Sequence, residues 1–404
     1  MAGRGGTATR PRVLKRTILH LRSSRTLAGP ERHLLELLPG LAARGVVTEV
    51  ALLYRRRPGD GEVHPLLEEL GVAGIPAFQI DDPDRVGREA RKHLVGRLRR
   101  GDIRALHGHD PKSNWLIARV CRAGGRPAVA DAGGAALRRL ATLHLHTRET
   151  LALRLYRRLD LALVRRFDGV IAVSRGLLAD VAKATDTRSY GRAPTPSLRV
   201  IANGIDGEKL RSRAAATPPF PRSDLASPVL VAAGRLARQK GFDLLLAALP
   251  RIIAAFPRLE LWLAGEGPER AALALQVERL KLGGQVRLLG ERRDLAALFA
   301  AADVFILPSR GEGSPYVLLE AMAMGLPVVA TAVGDVPETL GDEAGAALVP
   351  PGNAAALGEA ILGLLRSPGE ARLRGQMARE RIDRSRSASR MADETAAFYS
   401  QVLP

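Results

Sequence analysis

Residues 304–331 read VFILPSRGEGSPYVLLEAMAMGLPVVAT. VFIL is a short apolar run suited to a strand buried on both faces, and a stretch rich in Pro, Ser and Gly follows it. PYVLLEAMAM has the length and composition of a helix, and PVVAT is apolar and β-branched again. A strand, a helix and a strand in succession make two parallel strands joined by a crossover. The unit recurs through the second half: SPVLVAAGRL leads into FDLLLAALPRIIAAF, LELWLAG into PERAALALQVERLKLGG, and VRLLG into DLAALFAAAD. In the first half RTILHL, VTEVALL, IRALHGH and GVIAVS read as strands, with ERHLLELLPGLAARG and SNWLIARVCRAGG as helices between them. The fold class is therefore α/β, with a doubly wound parallel sheet in each half. A chain of 404 residues exceeds what one core usually supports, so two domains are expected. The polar segment TDTRSYGRAPTPS, followed by LRVIANGID, sets their junction near Asn203 to Asp206.

Ligands of such sheets bind beyond the carboxyl ends of the strands, where helix N-termini converge. Three strand-to-helix loops there carry chemistry. In GRLARQKG, Arg235 and Lys240 are two cations able to grip a diphosphate, with a solvated basic loop as the plainer alternative. In AGEGPERAAL, Gly265 and Gly267 permit close backbone approach and leave exposed N–H groups at a helix start, with Pro268 in its first turn; a tight turn without a ligand is the alternative. In EGSPYVLLEAMAM, Ser314 suits the helix cap and Pro315 the first helical position, which puts Glu312 on the loop and Glu320 in the second turn. Val317, Glu320, Ala321 and Met324 then share a face, so Glu320 is a carboxylate in an apolar stripe. It needs hydroxyl or N–H donors, which the vicinal hydroxyls of a ribose or an Arg partner would supply.

Composition narrows the partners. The single Cys121 excludes an internal disulfide and makes redox chemistry unexpected. No run approaches the roughly 18 apolar residues of a membrane span, and the basic start MAGRGGTATRPRVLKRTILHL lacks the apolar stretch of a signal peptide, so a cytoplasmic location is expected. The net charge is +19 and uneven: residues 1–200 hold 37 Lys and Arg against 19 Asp and Glu, residues 201–404 hold 24 against 23. A cationic first half points to nucleic acid, acidic lipid or a phosphorylated substrate, with a generally Arg-rich composition as the alternative. RKHLVGRLRR and RLYRRLDLALVRR set basic residues beside Leu and Val as interfacial helices do, which extends the expected location to the inner face of a membrane. Aromatic residues are only 4%, and with no recognised nucleic-acid motif no such partner is expected. HGHD and HLH offer His107, His109, Asp110, His144 and His146, but two H-x-H pairs lack the spacing of a zinc motif, and no metal site is expected.

Taken in order, GRLARQKG, EGSPYVLLE with its two glutamates, and GLPVVATAVGDVPE resemble the retaining glycosyltransferases of family 4 (glycosyl transferases group 1). NGID at 203–206, AGPERHLLEL and LATLHLHTRETLALRLYRRLDLALVRRFDGVIAVS resemble that family's interdomain segment, its glycine-rich loop and the stretch with its active-site histidine. The resemblance implies the GT-B fold, two Rossmann-like domains facing a central cleft. Residues 1–205 would bind the acceptor and 206–385 the donor, and a helix at 386–404 would pack back toward the first domain. It implies that Arg235 and Lys240 hold the diphosphate of a UDP- or GDP-sugar, Glu320 its ribose and Glu312 the sugar hydroxyls. Gly265, Gly267, Gly313, Ser314 and Val317 would line the donor. His144 would sit beside the sugar, with His109 and His146 as alternatives, and Gly29 and His109 on the acceptor side. Many members carry two glycines where this chain has Ala28 and Gly29, and a glycine where it has Leu145. The implied activity is sugar transfer to a hydroxyl acceptor, lipid-linked or soluble, with retention and without a metal, in cell-surface polysaccharide or glycolipid synthesis. An inverting enzyme would want a carboxylate base, for which Asp110 is placed. A nucleotide-sugar epimerase or hydrolase on the same fold, or a non-enzymatic anion or nucleic-acid binder, are the competing readings. The oligomeric state is not set by the sequence.

Overall fold

Strand and helix alternate from the first described element onward in the computed structural model, which describes residues 14–57, 60–82, 87–121, 137–144, 151–185, 196–218, 220–224, 226–341 and 346–403. The chain divides into two units, one of Met1–Ala172, Leu177–Ile201 and Met391–Pro404, the other of Val173–Gly176 and Ala202–Arg390.

The first unit runs β1 (Leu14–Ser24), α1 (Gly29–Ala43), β2 (Val46–Tyr54), α2 (Pro65–Val72), β3 (Ala77–Asp81), α3 (Arg88–Leu98), β4 (Ile103–Gly108), α4 (Pro111–Val120), β5 (Arg138–Leu143), α5 (Leu151–Val164), β6 (Gly169–Ala172), α6 (Arg175–Thr185) and β7 (Ser197–Val200). Its strands pair in parallel in the order β3-β2-β1-β4-β5-β6-β7. Alternate residues of each strand point to opposite faces. Ile18, Val50, Ala105 and Leu140 therefore join α1 and residues 391–403 in one core, while Leu19, Ala51, Leu106 and Ala141 join α3, α4 and α5 in the other.

The second unit follows with α7 (Gly207–Ala216), β8 (Val229–Ala233), α8 (Phe242–Ala255), β9 (Glu260–Ala264), α9 (Arg270–Arg279), β10 (Val286–Gly290), α10 (Leu295–Ala300), β11 (Val304–Leu307), α11 (Tyr316–Ala323), β12 (Val328–Thr331), α12 (Val336–Leu340), β13 (Ala347–Val349), α13 (Ala354–Arg366) and α14 (Pro368–Ser385). A last helix, α15 (Ala388–Val402), carries the chain into residues of the first unit. The second sheet is also parallel, in the order β10-β9-β8-β11-β12-β13. Val229, Val231, Trp262, Phe305 and Leu307 face one core, and Leu230, Ala232, Leu261, Val304 and Ile306 the other. Burying each Val, Leu, Ile or Phe among these contributes about 1.5–3 kcal/mol, so the strands are apolar throughout rather than alternating. Among the described residues no helix is long and apolar enough to cross a membrane.

Helix α14 reaches α11 and the turn after it through a glycine. A Cβ on Gly375 would fall 2.0 Å from the carbonyl oxygen of Gly325, whereas one on Gly363, on the exposed side of α13, would meet nothing within 4 Å. Gly375→Ala should therefore lower stability by about 1–3 kcal/mol, the range for overpacking. Gly363→Ala should raise it by about 0.5–1 kcal/mol, because it relieves glycine's entropy in a helix interior. Urea midpoints of the two variants moving in opposite directions is the expected result.

Helix α2 is capped by an imidazole. His64 Nδ1 accepts the Leu66 N–H at 3.0 Å, and the ring is buried. Burial holds His64 below the ordinary histidine pKa, the nearby Arg22 adding to this while Glu31 and Asp60 oppose it. A protonated ring has no lone pair at Nδ1 to cap with. With the folded pKa below the unfolded one, the cap stabilises above about pH 6.5 and is lost progressively as the pH falls. His64→Asn keeps an acceptor that does not titrate, and the other buried histidines act alike in both proteins. The urea midpoint should fall less between pH 7.5 and 5.5 in that variant than in the wild type.

Candidate active site

In the second unit two loops meet beyond the carboxyl ends of the neighbouring strands β8 and β11. The first leaves β8 at Gly234, makes one 3₁₀ turn over Arg238–Lys240 and enters α8 through Gly241. Gly241 has φ +66°, and a Cβ there would fall 2.0 Å from the Pro308 carbonyl oxygen, so glycine is required twice over. Gln239 Nε2 donates to the Gly311 carbonyl at 2.7 Å, and the Arg310 N–H donates to the Gln239 carbonyl at 2.7 Å. Arg310 forks onto Asp243 at 2.6 and 2.7 Å, which raises the guanidinium pKa and lowers that of the carboxyl. These contacts make the two loops one structure.

At its centre Lys240 Nζ lies 2.7 Å from Glu312 Oε1, and the buried Ser309 hydroxyl donates to the same oxygen at 2.6 Å. Ser309 is fixed in turn by Thr331, whose hydroxyl donates to its carbonyl at 2.6 Å. Glu312 is buried and Lys240 half-buried, so the carboxylate is held from beneath by a hydroxyl and from the side by an ammonium. Arg235 is exposed and among the described residues forms no ion pair. The sequence singled out Arg235, Lys240 and Glu312; it gave no sign of Ser309, Gln239 or Thr331, which act only through this packing.

Gly265 and Gly267 are placed as the loop after β9 demands, for a different reason from the one expected. The Gly265 N–H donates to the Gly290 carbonyl at 2.7 Å and is not open to an anion, and α9 starts at Arg270, beyond Pro268. A Cβ on Gly265 would fall 1.9 Å from Gly234 O, and one on Gly267 2.3 Å from Leu236 O. The glycines let the β9 loop lie directly on the backbone of the β8 loop.

Helix α11 begins one residue later than expected. Pro315 is its N-cap, extended at ψ 119°, and its carbonyl accepts from Leu318 at 3.1 Å, so Ser314 precedes the cap. The helix is buried nearly all round, and Ala321, expected on the face of Glu320, lies in the core. Glu320 is 5% exposed, and its flanking neighbours Val317 and Met324 are the half-buried residues of the helix. Two contacts fix the entering loop: the Asp335 N–H donates to the Gly313 carbonyl at 3.0 Å, and Asn203 Nδ2 donates to the Ser314 carbonyl at 2.9 Å. Gly334, with φ +55°, lets its Cα approach the Glu312 carbonyl, where a Cβ would be 2.0 Å away. The helix therefore presents one buried carboxylate beside its own backbone start.

In the first unit five histidines gather on the α1 side of the sheet. Strand parity puts them there: His20 follows Ile18, His107 and His109 follow Ala105, and His144 follows Leu140 and Thr142, while α1 supplies His33. His20 and His107 are register partners on β1 and β4. His20 Nδ1 is 2.9 Å from His109 Nε2, and His109 Nδ1 is 3.4 Å from His144 Nε2. His107 bonds the Tyr399 hydroxyl at 2.7 Å and the Thr142 hydroxyl at 2.8 Å. Burial, reinforced by the neighbouring imidazoles, pushes His20 down to about 3 and holds His107, His109 and His144 well below the usual histidine range. Burial thus favours the neutral form of these four rings. His146 lies outside the described residues.

The expectation of no metal site weighed too few residues. Among the described residues two triplets, His20/His107/His109 and His33/His109/His144, each hold their ligand atoms within 4.8 Å of one another. His20 and His33 went unnoticed because lone histidines in an apolar strand and helix carry no motif. Asp110 is no free base: it caps α4, accepting from the N–H groups of Ser23, Lys112 and Ser113 at 2.7, 2.9 and 3.0 Å and from the Ser113 hydroxyl at 2.5 Å. Gly29 opens α1 behind Ala28, whose N–H donates to Glu31 Oε2 at 2.9 Å, while Arg22 Nε holds Glu31 Oε1 at 2.5 Å. A Cβ on Gly29 would meet nothing within 4 Å, so space is open above the loop.

Two doubly wound parallel sheets, the second with cations and carboxylates at its strand ends, are the architecture of the GT-B fold. Models of two families match the chain: Glycosyltransferase Family 4 over residues 27–209 and Glycosyl transferases group 1 over residues 227–367. The chain is 31% identical over 348 residues to a phosphatidyl-myo-inositol mannosyltransferase of Mycobacterium leprae, covering 84% of each. It is 29% identical over 409 residues to a glycogen synthase of Mycobacterium tuberculosis, covering 92% of this chain and 91% of that one. Among solved structures it superposes on Anabaena HepE in complex with UDP-glucose with a TM-score of 0.73 at 22% identity, over 96% of this chain and 100% of that one. Sucrose-phosphate synthase from Thermosynechococcus elongatus gives 0.74 at 22%, over 96% and 99%. The protein belongs to glycosyltransferase family 4 and is a glycosyltransferase.

Proposed function

We propose that the enzyme moves a hexose from a UDP- or GDP-sugar to a hydroxyl of a glycolipid or cell-surface polysaccharide precursor, with retention. The joined β8 and β11 loops, with Lys240, Glu312 and Ser309 in contact, carry this reading. Arg235, exposed at the rim, and Lys240 hold the diphosphate; Glu320 takes the ribose hydroxyls; Glu312, oriented by Ser309, takes hydroxyls of the sugar; and His144 contacts the sugar as a neutral hydrogen-bonding group. Gly265, Gly267, Gly313, Ser314 and Val317 shape the donor surface, and Gly29 and His109 belong to the acceptor side.

In the reaction the bond between the anomeric carbon and the phosphate oxygen breaks, and its electron pair leaves with the phosphate. Preorganised cations that meet this charge as it grows lower the barrier. The acceptor oxygen bonds the anomeric carbon on the face the phosphate leaves, and its proton passes to the departing phosphate, so Asp110 can stay a helix cap. Arg235→Ala and Lys240→Ala should each lower turnover by about 100-fold, the scale for losing one such group. Glu320→Ala should weaken free nucleotide and donor alike by roughly tenfold or more, while Glu312→Ala should mainly harm binding or turnover of the sugar-bearing donor. Transfer and donor hydrolysis, measured with and without acceptor, test the reading. Free or isomerised sugar made equally well without acceptor, or near-normal kinetics in both cation variants, would remove it.

The mannosyltransferase relatives bear phosphatidyl-myo-inositol in their name, which supports a lipid-linked acceptor; the meeting place we propose for it is the inner face of an acidic membrane. Helix α5 is the docking face: Leu155, Tyr156 and Leu159 are 59%, 53% and 60% exposed, and Arg158 and Arg166 are exposed beside them. The basic stretch on α3 suits this less well, since Leu94 and Leu98 are buried and Arg97 is paired with Glu49 and Asp102 at 2.6 Å each. A few basic side chains at about 1 kcal/mol each suffice for reversible attachment that salt weakens. Co-sedimentation with acidic but not neutral liposomes, lost at high salt and in L155E/L159E, is the expected outcome; no binding at low salt would sink the membrane reading and leave sugar transfer untouched.

A further inference from the structure

We propose that His33, His109 and His144 form a binding site for a divalent transition-metal ion, Zn²⁺ by the chemistry of its ligands. It shares His109 and His144 with the transfer site proposed above, and the claim is one of ion binding, carried by the geometry of the triplet.

The geometry favours this triplet. Its three ring nitrogens lie within 4.8 Å of one another. His109 Nδ1 and His144 Nε2 are 3.4 Å apart, which is long for an N–H···N hydrogen bond. It is the edge of a tetrahedron whose metal–nitrogen bonds are about 2.0–2.1 Å. A ligating histidine normally gives its other ring N–H to a fixed acceptor, which sets the tautomer. His109 has such a partner: its Nε2 sits 2.9 Å from His20 Nδ1, and in the tautomer that donates there its Nδ1 lone pair faces His144.

Competing triplet His20/His107/His109 is poorer, because both nitrogens of His107 are already bonded, to Tyr399 at 2.7 Å and to Thr142 at 2.8 Å. A metal there would have to break one of these buried bonds. In the favoured triplet His33 and His109 are buried and His144 is only half-buried, so an ion has a way in and a fourth position for water. Three imidazoles and no carboxylate suit Zn²⁺, Co²⁺ or Ni²⁺ and not Mg²⁺ or Ca²⁺, which take oxygen ligands.

If His144 also contacts the donor sugar, as proposed above, a bound ion takes it out of the reaction and the metal becomes an inhibitor. The binding claim does not depend on that. Its test is titration of the metal-free full-length chain with CoCl₂, read by the visible absorption of tetrahedral Co²⁺. One ion per chain, displaced by Zn²⁺, is expected. His33→Gln and His144→Gln should each weaken Co²⁺ by at least about 100-fold, His20→Gln by about tenfold, and the exposed His93→Gln not at all, with circular dichroism checking the fold of each. No saturable Co²⁺ or Zn²⁺ binding by the wild-type chain overturns the proposal whatever the variants do. It is overturned equally if His33→Gln and His144→Gln bind as the wild type does, or if His107→Gln loses the ion while His33→Gln keeps it.

Discussion

In both sheets a strand residue and its neighbour belong to different cores: Val229 and Val231 to one, Leu230 and Ala232 to the other. Strands buried on both faces leave polar side chains at their ends or pair them inside, as mid-strand His20 is paired with His109, because an unpaired one would lack water on either side. Parallel direction then brings all the carboxyl ends to one edge of each sheet. Lys240 and Glu312, 72 residues apart, meet there because β8 and β11 are neighbours. The five histidines meet for the same reason, since β1, β4 and β5 are successive strands and parity turns His20, His107, His109 and His144 to one face.

The strand and helix alternation, and with it the fold class, is legible in the sequence because buried parallel strands are apolar runs and their helices are long. Legible too are the loops that carry Arg235, Lys240 and Glu312, since glycine and charge stand out against such runs. What sequence periodicity cannot show is which loops touch. Gly265 reads as an anion-binding turn, yet its N–H is spent on Gly290 and its missing Cβ makes room for Gly234. Pro315 reads as the first helical residue and is the cap, a shift of one residue that only backbone dihedrals decide. Ala321 reads as part of a stripe on a helix that the fold buries on nearly every side.

The histidines show the limit from another direction. His107 and His109 are visible as a pair, but a cluster of five needs strand order, register and a helix from elsewhere in the chain. No local spacing encodes these. Asp110 is likewise read by its neighbours His107 and His109 when its actual partners are three backbone N–H groups. Local sequence supplies candidates, and topology decides their company.

The last helix gives the first unit a particular history. Met391, Ala392, Phe398, Tyr399, Val402 and Leu403 are buried in a core whose strands start at residue 14, and the Tyr399 hydroxyl closes the hydrogen bonding of His107. A ribosome makes those residues only after the whole of the second unit. The first unit to be synthesised is thus the last to finish its core, and until then the apolar surface awaiting Phe398 and Tyr399 is open to other chains. During translation at about 5–20 residues per second, the roughly 190 residues between residue 201 and that helix keep this face uncovered for some tens of seconds at the slower rate, a window in which a chaperone has something to hold.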